Sequence, residues 1–377
     1  MTMTRLAAGA ALALAAGPLF AQEAELPPCE NCAGSMVIMS WGGAYQAAQL
    51  AAYVQPYIDA TGVTVTWDES SGQAVAKLRA MSETGNVTAD VVDVLATDAI
   101  RLCDDGLVME IDYDEMLDPG IDGTPPAEDF GDNAVSECFV PTNAYSTTFA
   151  YRTDVAEWNG AVPDDICDIF DLEAFPGRRA LERNPINNFE WALICDGVPA
   201  EEVYDVLSTP EGVDRALAKL DTIRDSVIWW TAGAETPQLL ADGEVVIGSG
   251  YNGRLFSLIE EQGAPVAMLW DYEVLDLDGF VIPNGLPEDR LNRALHFLRF
   301  ATGSQSLANL TRYISYGPTR ASSLPLVGTH ETLGIEMAPH TPGNPANNGG
   351  RSFLFNYSWW ADHRDELDAR FQSWLAR

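Results

Sequence analysis

Residues Met36 to Ile58 constrain the fold most. Met36, Val37, Ile38 and Met39 form a short apolar run that reads as a buried strand. Ser40-Trp41-Gly42-Gly43 then turns the chain into a helix with apolar residues at Ala47, Leu50, Ala51, Val54 and Ile58, which is helical spacing. The two glycines permit a tight turn and a close approach of backbone to another group. In an open α/β sheet a strand-to-helix turn of this kind lies at the carboxyl edge of the strands, where ligands bind. Trp41 and Tyr45 flank the turn. Aromatic rings beside bare N–H groups suit a small polar ligand, so both are candidate ligand contacts.

Strand and helix patterns keep alternating downstream. Gly62 to Trp67 reads as a strand, Gln73 to Met81 as a helix and Asp90 to Leu95 as a buried strand. A helix follows from about Thr97 to Cys103, and Thr97 at its start is a further candidate contact. Cys138 to Tyr151 is aromatic and β-branched and reads as a crossing between two lobes. A second α/β region carries helices near Asn188–Cys195, Pro199–Leu207, Pro210–Ile223 and Gly253–Gln262, with strands at Val245–Gly248, Val266–Leu269 and Asp278–Pro283, the last as the return crossing. Helices are expected at Asp289–Ala301, Gln305–Tyr313 and Asp362–Leu375, and a loop over Pro339–Gly350. Such alternation implies a mainly parallel sheet. The 377 residues suffice for one large domain or two ordinary ones, and 47% hydrophobic residues suffice for real cores.

Residues 1–21 read as a secretory signal peptide: Arg5 is the positive end, Leu6 to Phe20 the apolar run, and cleavage fits after Ala21. The run is too short to anchor in a bilayer, and no later stretch is long and apolar enough to span one. Removing it takes away one cation, so the net charge of −35 becomes −36. So acidic a surface repels nucleic acid and anionic lipid and favours cationic ligands, although an acidic coat also serves solubility in a salty medium. Six cysteines in an exported chain imply disulfides. Cys29 and Cys32 precede the first strand, which is the wrong place for a redox Cys-x-x-Cys. Chain order suggests Cys103 with Cys138 and Cys167 with Cys195, one of three possible pairings.

The four histidines are scattered and form no metal-binding pattern, and there is no Gly-x-Ser-x-Gly elbow or P-loop. Gly248-Ser249-Gly250-Tyr251-Asn252-Gly253 matches a dinucleotide fingerprint after a strand, with Glu273 lying 20 residues beyond Gly253. An exported dinucleotide-dependent enzyme is therefore the rival reading. It is weakened by the scarcity of NAD outside the cell and by the lack of a second paired strand ending at Glu273. The alternative is a tight loop that turns Tyr251 and Arg254 toward a cleft. Asp278 precedes the apolar residues Phe280, Val281 and Ile282. It is either a solvated strand cap or a carboxylate that holds an ammonium group.

The chain resembles the periplasmic spermidine/putrescine-binding proteins of ABC importers. The likeness runs from Met36 to the C-terminus. It is carried by Ser40-Trp41-Gly42-Gly43-Ala44-Tyr45, Asp105-Gly106-Leu107-Val108, Phe175-Pro176-Gly177-Arg178-Arg179, the segment Leu239 to Val245, Tyr251-Asn252-Gly253-Arg254, Asp278 to Pro283 and Tyr316-Gly317-Pro318-Thr319. The resemblance implies an α/β, type II periplasmic-binding-protein fold with a ligand cleft between two lobes. Residues 1–21 would be the signal peptide and 22–35 a leader. Lobe 1 would comprise 36–143 and 281–325, and lobe 2 would comprise 144–280 and 326–377.

In that family Trp41 matches a clamp aromatic, Tyr251 an aromatic before Asn-Gly, Asp278 the amine-binding aspartate and Tyr316 a tyrosine of the cleft. Two second-lobe carboxylates of the polyamine binders are matched by neutral Asn184 and Asn187, and an aromatic by Asp276. Arg254 adds a cation, unless it is an exposed helix residue. A ligand with an ammonium and a carboxylate end fits these changes better than a long polyamine. The resemblance thus implies a non-enzymatic carrier, without cofactor, that delivers a diamine such as putrescine or an amino acid such as γ-aminobutyrate to a membrane permease.

Overall fold

The computed structural model describes residues 33–349 and 351–377. The signal peptide, most of the leader and the Cys29/Cys32 pair lie outside the described residues. Nine strands form one sheet: β1 (Ser35–Met39), β2 (Thr64–Asp68), β3 (Val91–Leu95), β4 (Val140–Arg152), β5 (Arg179–Glu182), β6 (Val227–Trp230), β7 (Ile247–Tyr251), β8 (Val266–Val281) and β9 (Ser352–Leu354). Their order is β2-β1-β3-β8-β4-β7-β5-β6, with β9 added alongside β8. The outer pairs β1/β2, β1/β3, β5/β6 and β5/β7 are parallel, as the alternation predicts. The middle is antiparallel: β8 runs against both β3 and β4, and β4 against β7. Two long strands in the centre thus tie two parallel α/β halves together. The rungs Asn143↔Asp278 through Thr147↔Val274 are regular, and register shifts bracket them.

Each half has its own packing centre. One gathers Met36, Ile38, Tyr53, Tyr57, Val91, Phe280, Phe297 and Leu307, and a smaller group lies over Val92, Val94, Leu102 and Phe139. The other gathers Phe149, Phe189, Trp191, Val203, Leu220, Trp360 and Phe371. The last helix, Tyr357–Leu375, packs on this second centre yet also reaches the helix Ala96–Asp104 of the first. Arg364 Nη1 lies 2.9 Å from Asp98 Oδ1, and Arg101 Nη2 lies 3.2 Å from Asp365 Oδ2.

Several boundaries differ from the sequence reading for identifiable reasons. The strands expected at Val266–Leu269 and Asp278–Pro283 are one strand, β8. Asp271, Glu273 and Asp276 interrupt its apolar pattern, and Tyr272 adopts φ 47°. Each carboxylate is buried with a donor: Ile166 N–H on Asp271, Gly343 N–H on Glu273 and the Tyr145 hydroxyl on Asp276. The final helix starts at Tyr357, five residues early, because the Asn356 side chain caps it by accepting the Trp359 N–H. The expected loop at Pro339–Gly350 contains the short helix Pro345–Asn348. Strands β5, β6 and β9, of three or four residues, are too short for a readable alternation.

Cys103–Cys138 and Cys167–Cys195 are disulfides, with Cα–Cα distances of 5.7 and 5.1 Å. They close loops spanning 35 and 28 residues. Replacing either pair by alanine is expected to lower the unfolding free energy by about 3–4 kcal/mol, read from denaturant titration. Among the described residues no helix is long and apolar enough to cross a membrane.

Candidate functional site

The site forms where the central strands meet the turn after β1. Asp278 lies within β8, opposite Leu95 of β3 and Asn143 of β4, and is 5% exposed. It is not a strand cap, because β8 begins twelve residues earlier at Val266. Asp93 on β3 pairs with Phe280, two residues along from Asp278. The two carboxylates are therefore diagonal neighbours on one face of the sheet. Asp93 is wholly buried. Its Oδ2 accepts hydrogen bonds from Gln49 Nε2 at 2.6 Å and Ser40 Oγ at 3.2 Å, while Oδ1 has no partner.

Burial raises the pKa of both acids, and the Asp93 charge raises that of Asp278 further. For Asp278 burial comes first, then the charge of Asp93, with the Trp41 indole N–H acting the other way. For Asp93 burial again dominates, and Gln49 and Ser40 oppose it. Trp41 Nε1 makes no hydrogen bond of normal geometry.

Four tyrosines line the way from these acids to the second half. Tyr45 and Tyr316 have ring centroids 5.9 Å apart, Tyr316 and Tyr145 also 5.9 Å, and Tyr145 and Tyr251 meet edge to face at 5.5 Å. Trp230 stands edge-on to Tyr251 at 5.8 Å. Asn143 donates to the Tyr45 hydroxyl at 2.9 Å, which fixes that ring, and Tyr145 donates to Asp276 at 2.8 Å. Burial raises all four phenols, with Tyr316 pushed up to about 12.

Arg254 closes the far end. It follows β7 on the short helix Asn252–Phe256, and a Cβ added to Gly43 would lie 3.3 Å from its Nη1. A Cβ on Gly233 would meet the Tyr251 ring at 2.6 Å and Arg254 Nε at 3.1 Å. Arg254 is thus partly buried between the two halves, not an exposed helix residue. Its Nε is buried without a hydrogen-bond partner. The Tyr316 phenol feels both ends, lowered by the Arg254 charge and raised by Asp278.

The Gly248–Gly253 motif is not a phosphate loop. Strand β7 runs through its first two glycines to Tyr251, past the Val245–Gly248 limits expected of it. A Cβ at Gly248 would meet Thr236 at 2.7 Å, and one at Gly253 would meet Ile314 and Tyr316 at 2.6 Å. The glycines make room for packing, and Gly253 specifically admits the Tyr316 ring.

Trp41, Tyr45, Tyr251, Arg254, Asp278 and Tyr316 are brought together. Thr97 is buried in the first turn of Ala96–Asp104, and Asn187 precedes the helix Asn188–Ile194 with φ 67° and an unpartnered Oδ1. Neither belongs to the rings and hydrogen bonds described above. The sequence reading missed Asp93, Gln49 and Tyr145. A lone aspartate inside the apolar run Val91-Val92-Asp93-Val94-Leu95 was the available signal for the first. Among the described residues no group of His, Cys, Asp and Glu is arranged to hold a metal.

Residues 52–342 match the family model described as bacterial extracellular solute-binding protein. The chain is 37% identical over 344 residues to the γ-aminobutyric acid-binding protein of Pseudomonas aeruginosa, covering 91% of each. It aligns with the solved structure of the Atu4243-GABA receptor at 30% identity and a TM-score of 0.75, covering 91% of this chain and 98% of that one. The spermidine/putrescine substrate-binding protein PotD of Streptococcus pneumoniae aligns at 16% identity with a TM-score of 0.64, covering 91% of this chain and all of that one, a likeness of fold alone. The resemblance to polyamine binders is corrected accordingly: the fold is shared, and the stronger sequence match lies elsewhere in the same class. The chain belongs to the bacterial extracellular solute-binding proteins, whose members bind solutes and are not enzymes.

Proposed function

We propose that the protein captures a zwitterionic ω-amino acid of the γ-aminobutyrate type and presents it to the permease of an ABC importer. The carrying observation is a carboxyl group and a guanidinium at the two ends of one row of tyrosines, with Tyr316 under the influence of both Asp278 and Arg254. Asp278 holds the ammonium among the tyrosine faces, where cation–π contact adds about 0.5–2 kcal/mol per ring. The Arg254 guanidinium grips the carboxylate through charge-assisted hydrogen bonds. Trp41, Tyr45, Tyr251 and Tyr316 enclose the chain between. We assign the lobes to 36–143 with 281–325 and to 144–280 with 326–377; the separate packing centres support two lobes, with Tyr145 and Phe280 at the boundary packing in the first. A ligand touching both lobes favours the closed arrangement. The family supports export, and removal of residues 1–21 would leave the mature chain in the periplasm.

One observation favours a diamine instead. The Glu182 carboxyl at the end of β5 lies near the Tyr251 hydroxyl and is raised to about 7 by burial. Native mass spectrometry of freshly purified protein followed by thermal unfolding decides between them. γ-Aminobutyrate at a hundred times Kd is expected to stabilise the native state by about 2.7 kcal/mol, a rise of several degrees in Tm, with a smaller shift for putrescine and spermidine. A larger shift with putrescine would establish the diamine reading, and none with any amine or amino acid would defeat both.

A further inference from the structure

Asp93 is wholly buried beside Asp278, on the same face of the sheet. We propose that Asp93 is a positioning residue that makes Asp278 hold a proton while the cleft is empty, so that capture of an ammonium group releases one proton to solvent. The inference rests on the reading of Asp278 as the ammonium site.

The geometry carries it in three steps. First, the strand register places the two carboxylates as diagonal neighbours on one face, between β3 and β8. Second, Asp93 accepts a 2.6 Å hydrogen bond from the buried Gln49 amide, which suits its ionised form, while the one proton of the Ser40 hydroxyl is shared between Gln49 Oε1 at 2.6 Å and Asp93 at 3.2 Å. Third, Asp278 has a weaker set: its Oδ1 accepts the Gly279 N–H at 3.0 Å, and the Trp41 indole stands near. Two like charges this close in a dry site do not both ionise readily. The proton therefore resides on the less well-solvated oxygen pair, that of Asp278.

Of the groups around the pair, Asp276 adds to this effect at Asp278, whereas the Tyr45 hydroxyl lowers the Asp93 pKa. Tyr45 and Tyr53 face it from the helix after β1, Tyr145 from β4, and Asp276 from β8 itself. Burial favours the protonated form of both acids, and the Asp93 charge favours it further at Asp278. When an ammonium arrives, its charge replaces that of the proton. The O–H bond on Asp278 breaks, the proton leaves to buffer, and the pair is left with two carboxylates facing one cation.

The sign of the pH dependence follows. Proton and ammonium compete for one place, so affinity falls as pH falls through the range in which the pair is protonated. The full mature protein is titrated calorimetrically with γ-aminobutyrate in buffers of differing ionisation enthalpy. The expected result near neutral pH is release of about one proton per ligand, and a Kd that weakens about tenfold per pH unit on acidification. Asp93→Asn, which keeps shape and an acceptor for Gln49, is expected to reduce proton release and shift the pH dependence of binding to lower pH, since burial of Asp278 remains. A purely structural role for Asp93 would lower Tm without changing the proton count. Wild-type binding of γ-aminobutyrate with no proton exchanged would overturn the inference and leave the ligand reading intact. Failure of every amine to bind would overturn both.

Discussion

Asp278→Asn is expected to weaken γ-aminobutyrate binding by about a hundredfold or more. Removing one partner of a buried charge pair costs about 3–5 kcal/mol, and each 1.4 kcal/mol is tenfold in Kd. The substitution preserves shape and still offers an acceptor to the Gly279 N–H, so the fold should survive. Putrescine should suffer a similar loss, because both ligands place an ammonium at this position. Isothermal titration measures the change, and a loss of less than fivefold for both ligands would remove Asp278 from the site. The strength of the expected effect comes from burial: at 5% exposure, little water can take over from the missing charge.

The second large effect separates ligands. Arg254→Ala is expected to cost γ-aminobutyrate about 2–4 kcal/mol, roughly thirtyfold or more, by leaving its carboxylate desolvated and unpaired. Putrescine carries no carboxylate, and its binding should hold or improve once a cation is removed from the cleft. Competition titrations with both ligands test the split. Equal weakening would mean that Arg254 supports the cleft wall, where it packs by Gly43 and Gly233, and does not select the ligand. Arg254→Lys is a useful companion, since a lysine keeps the charge and loses the planar fork.

How much of this was visible beforehand depends on local signal. The β1 turn was legible because four apolar residues, two glycines and a helical stripe all agree over some twenty positions. Tyr251 and Arg254 were legible because glycines bracket the first and the second follows one helical turn on. The cysteine order gave both observed disulfides, since the cysteines pair with their chain neighbours. Strand β8 was hidden because its buried acids are satisfied from distant segments, by Ile166, Gly343 and Tyr145, and no local pattern records such partners. Asp93 was hidden in the same way. Its meaning depends on a neighbour almost two hundred positions away, brought alongside only by the antiparallel pairing of β3 with β8. Tyr145 sits directly opposite Asp276, the position where the polyamine binders carry an aromatic, so a ring enters this part of the cleft from the facing strand instead.

Strand β4 has a consequence for which molecules are accepted. Asp278 hangs from it at Asn143 on one side, and Tyr251, three residues before Arg254, hangs from it at Thr147 on the other. Those two anchor points are four residues apart, or about 13 Å along an extended chain. On the proposed reading of Asp278 and Arg254 as the two charged contacts, the spacing of the guest's termini is gauged against one strand. Shortening or lengthening the methylene spacer of the guest would be felt at both ends at once, whereas altering the surface loops would leave the gauge unchanged.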